Sequence, residues 1–230
     1  IRFISSLDQN NEAFVVFVNE KYRYLNKKSV LSNTLVQKIN SYIESLKAKR
    51  KDEDLSSFDI SNKQKCFIIK VKSKYEDYYP QEIGGAFFSY ISKIKGINNI
   101  DFYQDSLDLE KDKSINFFSE FIFGFDLKSY NFNKYKTLKK ETKNINYKII
   151  SSNKEKIKKK YEYYDTIKEG VFLTRDLVSE PPNVLSPKTY VSEIKKLSKF
   201  GLKIKVYDQK EMKKMGMNAL LGVGQGSVNE

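Results

Sequence analysis

Short apolar runs alternate with helix-like stretches through the first 150 residues, and this alternation restricts the folds open to the chain. Ala13–Val18 and Cys66–Val71 are almost entirely apolar, as strands buried on both faces are, and shorter runs stand at Ile100–Tyr103 and Ile145–Ile150. Strands that alternate with helices along a chain pair mostly in parallel, with the helices covering the sheet. The pattern therefore predicts an α/β domain over residues 1–151.

The stretches between these runs carry apolar residues three and four positions apart, which is the spacing of one helix face. One such stripe extends from Leu35 to Leu46, another follows Pro80, and a third extends from Ile115 to Phe125. Proline suits the first turn of a helix because its missing N–H has no partner there in any case. These three segments are the predicted helices of the domain.

A long helix is predicted to follow the domain. Ser152 and Glu155 have the spacing of a capping box, in which each side chain accepts a hydrogen bond from a free backbone N–H at the helix start. An apolar stripe runs from Ile157 to Val178, and Pro181-Pro182 ends it because proline cannot continue the helical hydrogen bonds. A helix of about 28 residues is about 40 Å long, so residues 152–181 are predicted to join two domains.

The pattern restarts over residues 182–230. Ser186-Pro187 predicts one helix start, and Asp208 with Glu211 has the capping-box spacing for another. Strands are predicted at Leu202–Val206 and Leu220–Val223. About fifty residues with two strands and two helices bury too little surface to be stable alone. We therefore expect the incomplete beginning of a larger α/β domain.

The chain has no histidine and a single cysteine, Cys66. It therefore contains no serine–histidine triad, no imidazole zinc ligand and no internal disulfide, and a reducing, cytoplasmic compartment is the expectation. A two-metal site would need several carboxylates around cations about 3.5–4 Å apart. The acidic residues are scattered, and beyond Leu177 they are Glu180, Glu193, Asp208, Glu211 and Glu230. We assign no catalytic, substrate-binding or metal-binding residue to this chain.

The formal net charge is +13, from 42 basic and 29 acidic residues. An excess of this size is typical of proteins that bind nucleic acid or another anionic surface. The chain is also rich in Lys, Asn, Ile, Tyr and Phe, which AT-rich codons encode, and its basic residues are spread along its length with only short runs such as Lys154–Lys160. Genomic composition and a nucleic-acid surface are both open explanations. The apolar runs are too short to cross a bilayer, so no membrane partner is expected.

Three further motifs each have a functional and a structural interpretation. The glycines of Gly222–Gly226 are similar to a nucleotide-binding loop, but no helix is predicted after them, which favours a tight loop leaving a strand. Arg175-Asp176 is an active-site or interface pair or, as we favour, a structural pair in which each residue has its own partner. Tyr130–Lys136 mixes aromatic and basic residues as single-strand nucleic-acid platforms do, but its aromatics keep no strand period, which favours packing of a loop.

Several of these segments resemble the leucyl (cytosol) aminopeptidases, a family of two-metal peptidases. The segments lie between residues 80 and 230 and are Glu82–Gly85, Gly124 with Tyr130–Lys136, Thr174–Asn183 with Ser186-Pro187, and Glu211–Ser227. The last two are the most specific. The sequence departs from the family at Lys72-Ser73-Lys74, where a glycine-rich turn is usual, and at Asn131 and Asn133, which replace an arginine and an aspartate.

The resemblance implies three parts: a macro-like N-terminal α/β domain over 1–151, a connecting helix over 152–181, and the start of the catalytic aminopeptidase domain over 182–230. Members of the family form homohexamers and release N-terminal amino acids from peptides with two divalent ions, such as Mn²⁺ or Zn²⁺. The family's ligand motifs, Gly-Lys-Gly-x-Thr-Phe-Asp-Ser-Gly-Gly and Asn-Thr-Asp-Ala-Glu-Gly-Arg, do not occur in this sequence.

We therefore expect the N-terminal portion of a cytoplasmic leucyl aminopeptidase, truncated before the metal-ligand motifs, binding no metal and inactive by itself. One alternative is a basic α/β module that binds nucleic acid, with a DNA-binding or regulatory role. Another is a freestanding macro-like ligand-binding domain, for which the missing glycine-rich turn is adverse.

Overall fold

The computed structural model describes residues 2–8, 11–49, 53–137 and 143–226. They form two compact units, residues 1–170 and 171–230. Within the described residues, no helix is both long and apolar enough to cross a membrane.

The first unit is built on one six-stranded sheet. Its strands are β1 (Arg2–Ile4), β2 (Ala13–Asn19), β3 (Leu55–Ser61), β4 (Gln64–Val71), β5 (Asn99–Tyr103) and β6 (Asn146–Ile150). They are ordered β1-β6-β5-β2-β4-β3 across the sheet, and every neighbouring pair is parallel except β3 and β4. The predicted α/β class with a mostly parallel sheet is confirmed.

Helices cover both faces of this sheet. They are α1 (Asn33–Ala48), α2 (Tyr79–Ile91), α3 (Lys111–Lys128) and the beginning of α4 (Lys154–Ser179). Alternate residues of β2 face opposite sides of the sheet, which explains why Ala13–Val18 is apolar throughout: Phe14 and Val16 pack with α1, while Val15 and Phe17 pack with α2 and α3. The predicted helices of the domain are all present.

The backbones of α2 and α3 approach each other closely at two glycines, Gly84 on α2 and Gly124 on α3. A Cβ built on Gly84 would lie 2.0 Å from the carbonyl oxygen of Phe121, and one built on Gly124 would lie 2.0 Å from the carbonyl oxygen of Gln81. Real Cβ contacts are essentially never below 3.0 Å. Lack of space between the helices therefore requires glycine at both positions.

The start of α4 differs from the prediction. Ser152 forms no capping box with Glu155, because its backbone N and its hydroxyl both donate to the carboxylate of Asp105, at 2.6 and 2.9 Å. Asp105 is buried beyond the end of β5 and needs donors. Ser152, which the local spacing predicted as part of the helix cap, thus forms a tertiary contact instead.

The second unit contains the end of α4 followed by α5 (Pro187–Lys195), a 3₁₀ turn (Lys196–Phe200), α6 (Gln209–Lys214) and α7 (Asn218–Gly224). Ser186 caps α5, with Pro187 in the first turn, and Asp208 with Glu211 forms the predicted capping box of α6. None of its described residues, 171–226, is buried.

Both strands predicted for this unit are wrong. Residues 202–207 have no regular structure, and Leu220–Val223 lies within α7. A strand satisfies its backbone N–H and C=O groups only on a neighbouring strand, and residues 171–226 contain none. In α7 the same groups are paired locally, as in the bond from the backbone N of Leu221 to the carbonyl of Met217.

Candidate functional site

The carboxyl edge of the sheet is the expected position of a ligand-binding site in the first unit. Parallel sheets bind ligands where neighbouring strands continue in opposite directions, which here is the gap between β2 and β5. Ser106 bridges this gap, since its hydroxyl accepts from the backbone N of Phe17 at 2.9 Å and its carbonyl accepts from Leu25 at 3.0 Å. Asn19 donates across it to Asp108 at 2.8 Å. The crevice is therefore closed by the chain's own groups.

The turn Lys72-Ser73-Lys74 is also held by side chains of the same unit. The Ser73 hydroxyl donates to Glu20 at 2.8 Å, and Lys113 Nζ donates to the Ser73 carbonyl at 2.5 Å. The backbone N of Lys72 donates to Tyr79 Oη at 3.3 Å. A phosphate cradle needs free backbone N–H groups aimed at one point, and the N–H of Lys72 is already bonded to Tyr79. This geometry does not favour a freestanding ligand-binding domain.

One group of titratable side chains gathers between α3, β6 and α4. The Asp126 carboxylate, whose side chain is 13% exposed, accepts from Tyr161 Oη at 2.9 Å and from Tyr147 Oη at 3.1 Å, and Lys168 Nζ lies 3.8 Å from it. Lys168 also pairs with Asp165. These residues (the Asp126 cluster) join the first part of α4 to the sheet.

Burial sets the protonation of the Asp126 cluster. It raises the pKa of Asp126, against the charge of Lys168 and the tyrosine hydrogen bonds, which lower it. Burial and the nearby Asp126 charge raise the pKa of Tyr161 to about 12, and that of Tyr147 is raised well above its ordinary value. A perturbed carboxyl can mark an active site when it faces a cavity. Two cavities of this unit lie elsewhere, one beside β1 and the other beside α1, and we interpret the cluster as structural.

Sequence patterns did not single out Asp126 or a second acid, Asp101. Asp101 lies fully buried in β5, where it accepts from the backbone N of Asp8 at 2.8 Å and from the side chain of Asn11. The sequence feature that could have indicated each residue is a single acid in an apolar run. These runs are Ile100-Asp101-Phe102 and Phe123-Gly124-Phe125-Asp126. Such an acid needs partners that only the fold supplies.

Three acidic residues of the second unit, Glu193, Asp208 and Glu211, are engaged locally. Glu193 pairs with Lys196 at 2.6 Å. Asp208 accepts from the backbone N of Glu211 at 2.8 Å, and Glu211 accepts from that of Asp208 at 3.0 Å. Across the described parts of the chain, no three side chains of His, Cys, Asp or Glu gather in a way that could hold a metal ion.

The three ambiguous motifs have the following positions. Arg175 is half-buried on α4, with its guanidinium 6.0 Å from the Phe172 ring centroid. In Tyr130–Lys136, the rings of Phe132 and Tyr135 contact each other at 5.9 Å and are inclined by 57°, so they form no flat stacking face. Gly222–Gly226 begins inside α7, and Ser227–Glu230 lies outside the described residues.

The second unit is similar in sequence to part of a known family of catalytic domains. Residues 172–230 match the family model described as cytosol aminopeptidase family, catalytic domain. Over this segment the chain is similar to the cytosol aminopeptidases. The match begins in α4 and includes α5, α6 and α7, and it agrees with the resemblance of Thr174–Asn183 and Glu211–Ser227.

Curated relatives extend the similarity toward the N-terminus. The chain is 36% identical over 142 residues to a probable cytosol aminopeptidase of Rhizobium etli, 37% over 153 residues to one of Brucella anthropi, and 39% over 143 residues to one of Phytoplasma mali. The matched segments cover 60–64% of this chain but only 28–30% of those proteins. Most of each relative therefore has no counterpart in this sequence.

Solved structures share the fold. A mutant of tomato leucine aminopeptidase matches with a TM-score of 0.68 and 19% identity, over 94% of this chain and 46% of that protein. The bottromycin maturation enzyme BotP in complex with Mn matches with a TM-score of 0.63 and 13% identity, over 95% of this chain and 43% of that protein. The chain spans less than half the length of these structures.

Proposed function

We propose that this chain is the N-terminal portion of a two-metal leucyl aminopeptidase that releases N-terminal amino acids from peptides. One observation carries the proposal: the segment that matches the catalytic-domain model, residues 172–230, has no buried residue among those described. A domain is stabilised by burying apolar surface, so this segment is expected to be the opening part of a larger catalytic domain.

In this proposal the chain consists of three parts. Residues 1–151 are the macro-like domain, 152–181 the connecting helix, and 182–230 the start of the catalytic domain. The Asp126 cluster supports this role for α4, because it attaches the first half of the helix to the sheet through Tyr161 and Lys168. In the other half, Leu173 and Val178 are exposed, which suits a surface that further polypeptide covers.

The described residues of this chain are not expected to form a two-metal centre. The sequence has no histidine, and the described carboxylates form no group of three or more. This chain is therefore proposed to supply no catalytic group. The two divalent ions, Mn²⁺ or Zn²⁺, would be held by the rest of the full-length enzyme, and the structural neighbour BotP is known in complex with Mn. Isolated, the chain is expected to be inactive.

The cellular setting follows from the family. The relatives are named cytosol aminopeptidases, which supports a cytoplasmic enzyme acting on peptides. A homohexameric full-length protein is proposed from the family resemblance alone.

Two measurements test this proposal. The purified 230-residue chain should not hydrolyse leucine-p-nitroanilide with Mn²⁺, while a full-length cytosol aminopeptidase assayed beside it should; turnover by the chain would contradict its proposed inactivity. The native protein in its source cells should have about twice the 26.9 kDa mass of this chain. A native mass of 26.9 kDa would contradict its being a portion of a peptidase.

A further inference from the structure

The part of α4 that belongs to the first unit carries an exposed apolar stripe. Tyr163 is 65% exposed and Ile167 is 37% exposed, and exposed Gly170 follows them one turn further along the helix. Residues with this spacing lie on one side of a helix. All three belong to the first unit, and we call them the α4 stripe.

The α4 stripe lies on a different side of the helix from the residues that attach α4 to the sheet. Ile157 is buried in the core, and Tyr161 and Lys168 belong to the Asp126 cluster. At 3.6 residues per turn, the centre of the stripe lies about 130° around the helix axis from the centre of this attached group. The stripe therefore takes no part in the contact with the sheet.

The exposure of two neighbouring apolar side chains sets this helix face apart. Single exposed apolar residues are common on protein surfaces. Among the described residues of the first unit, the exposed large hydrophobic side chains are those of Tyr78, Tyr135, Tyr163 and Ile167. Within that set, only Tyr163 and Ile167 are neighbours on one helix face.

The glycine of the stripe lies in open space. Glycine inside a helix is less favourable than alanine, so its presence there usually has a packing reason. In the described first unit, Gly84 and Gly124 lie where two helix backbones meet, and Gly96 has a φ of 78°. Gly170 has no positive φ, and a Cβ built on it would meet no described atom within 4 Å beyond its own helix turns. Such a position suits a second helix that approaches as closely as α2 and α3 approach each other.

The place of the stripe in the chain indicates what covers it. The match to the catalytic-domain model begins at residue 172, two residues after Gly170. The chain covers only 46% of the tomato leucine aminopeptidase structure. The catalytic domain thus begins beside the stripe, and the polypeptide that completes it would be held on the same chain. A tethered surface has a much higher effective concentration than a separate molecule, which favours this polypeptide over a second copy.

We propose that the α4 stripe is the docking surface for a helix of the polypeptide that completes the catalytic domain. An apolar side of that helix would cover Tyr163 and Ile167, and its backbone would cross α4 at Gly170. The inference rests on the proposed function and extends it, because it places part of the interface on the first unit, outside the segment that matches the catalytic domain. Helix α4 would then be held on two sides, by the sheet and by the catalytic domain.

Thiol labelling of the full-length protein and of the 230-residue chain tests the proposal. Cys66, the single cysteine of this chain, is fully buried, so Tyr163→Cys adds a thiol at an exposed position. Glu169→Cys adds one on another exposed side of the same helix and is the matched control. Rates of labelling by iodoacetamide are measured at each position by peptide mass spectrometry, and circular dichroism checks that the variants are folded.

The thiol at position 163 should react at least about tenfold more slowly in the full-length protein than in the 230-residue chain, because labelling requires the covered site to open. The thiol at position 169 should react equally in both. Adding Gly170→Ala should restore reactivity at position 163 in the full-length protein, since the new Cβ would hold the crossing helix away, and should change nothing in the 230-residue chain. No effect of Gly170→Ala on the full-length protein would refute the close crossing.

Equal reactivity at position 163 in the two proteins would overturn the docking surface. The proposed function would still stand if the same full-length protein hydrolyses leucine-p-nitroanilide. A benzophenone attached to the thiol at position 163 and activated by light identifies the occupant: a cross-link within one polypeptide supports the proposal, and a covalent dimer would assign the surface to a second copy and overturn it. A native mass of 26.9 kDa would contradict the proposed function and the docking surface together.

Discussion

Replacing Gly84 by alanine should force α2 and α3 apart. The new Cβ would lie 2.0 Å from the Phe121 carbonyl oxygen, and a tolerated contact is at least 3.0 Å, so the backbones must separate by about 1 Å or more. Separation would loosen the aromatic core at this crossing, where the Phe87 ring lies 6.1 Å from that of Phe121 and 5.9 Å from that of Phe125.

The size of the effect follows from two opposing contributions. Overpacking of this kind costs about 3 kcal/mol at the upper end of its usual range, and alanine in place of glycine within a helix returns about 1 kcal/mol. The net loss in free energy of unfolding should be about 2 kcal/mol, or about 4–8 °C in melting temperature for a chain of this size.

The neighbouring glycine is the matched control. A Cβ on Gly85 would lie 3.5 Å from the Gly124 carbonyl oxygen, an ordinary contact, so Gly85→Ala should stabilise by up to about 1 kcal/mol. Urea denaturation followed by helical circular dichroism measures both variants, since the chain has no tryptophan. Equal stability of Gly84→Ala and Gly85→Ala would refute the close crossing. Adding Gly124→Ala to Gly84→Ala should cost less than Gly124→Ala alone, because the helices have already separated.

Three further changes test other contacts. Tyr147→Phe should lower the free energy of unfolding by about 1.5–3 kcal/mol in urea, because it removes a hydrogen bond to the buried Asp126 carboxylate; an unchanged midpoint would contradict this. Burial raises the pKa of Asp126 above its value in the unfolded chain. Its contribution to the free energy of unfolding is therefore fully present below the unfolded-state pKa and is lost as pH rises through the folded-state pKa. Wild type should therefore lose stability relative to Asp126→Asn as pH rises from about 4, the ordinary pKa of an aspartate, through the raised pKa of folded Asp126, and a pH-independent difference between the two urea midpoints would argue against it. Asp208→Ala should cost about 1 kcal/mol at the start of α6, seen as faster amide exchange at Glu211, whose N–H the carboxylate accepts; unchanged exchange there would mean that the cap does not hold the helix.

The closed crevice between β2 and β5 and the Asp126 cluster show what a site prediction from sequence leaves out. The residues of the cluster lie at positions 126, 147, 161 and 168, on α3, β6 and α4, and no spacing rule connects them. Ser106 closes the crevice through a serine hydroxyl that has no signature in the sequence. By contrast, the similarity to the cytosol aminopeptidases could be predicted from residues 174–227, because the order of residues carries that information without any coordinates.

The sequence by itself determined the elements whose signal is local. β2 and β4 are mostly apolar because both of their faces are covered. Helix α6 begins where Asp208 and Glu211 can bond to each other's backbone within four residues. Tertiary structure decided the rest. Ser152 donates to buried Asp105 and does not cap α4. Leu220–Val223 lies in a helix because no described strand in its unit can pair with it. A cap is satisfied by neighbours in sequence, whereas a strand or a buried carboxylate is satisfied only by groups that folding brings to it.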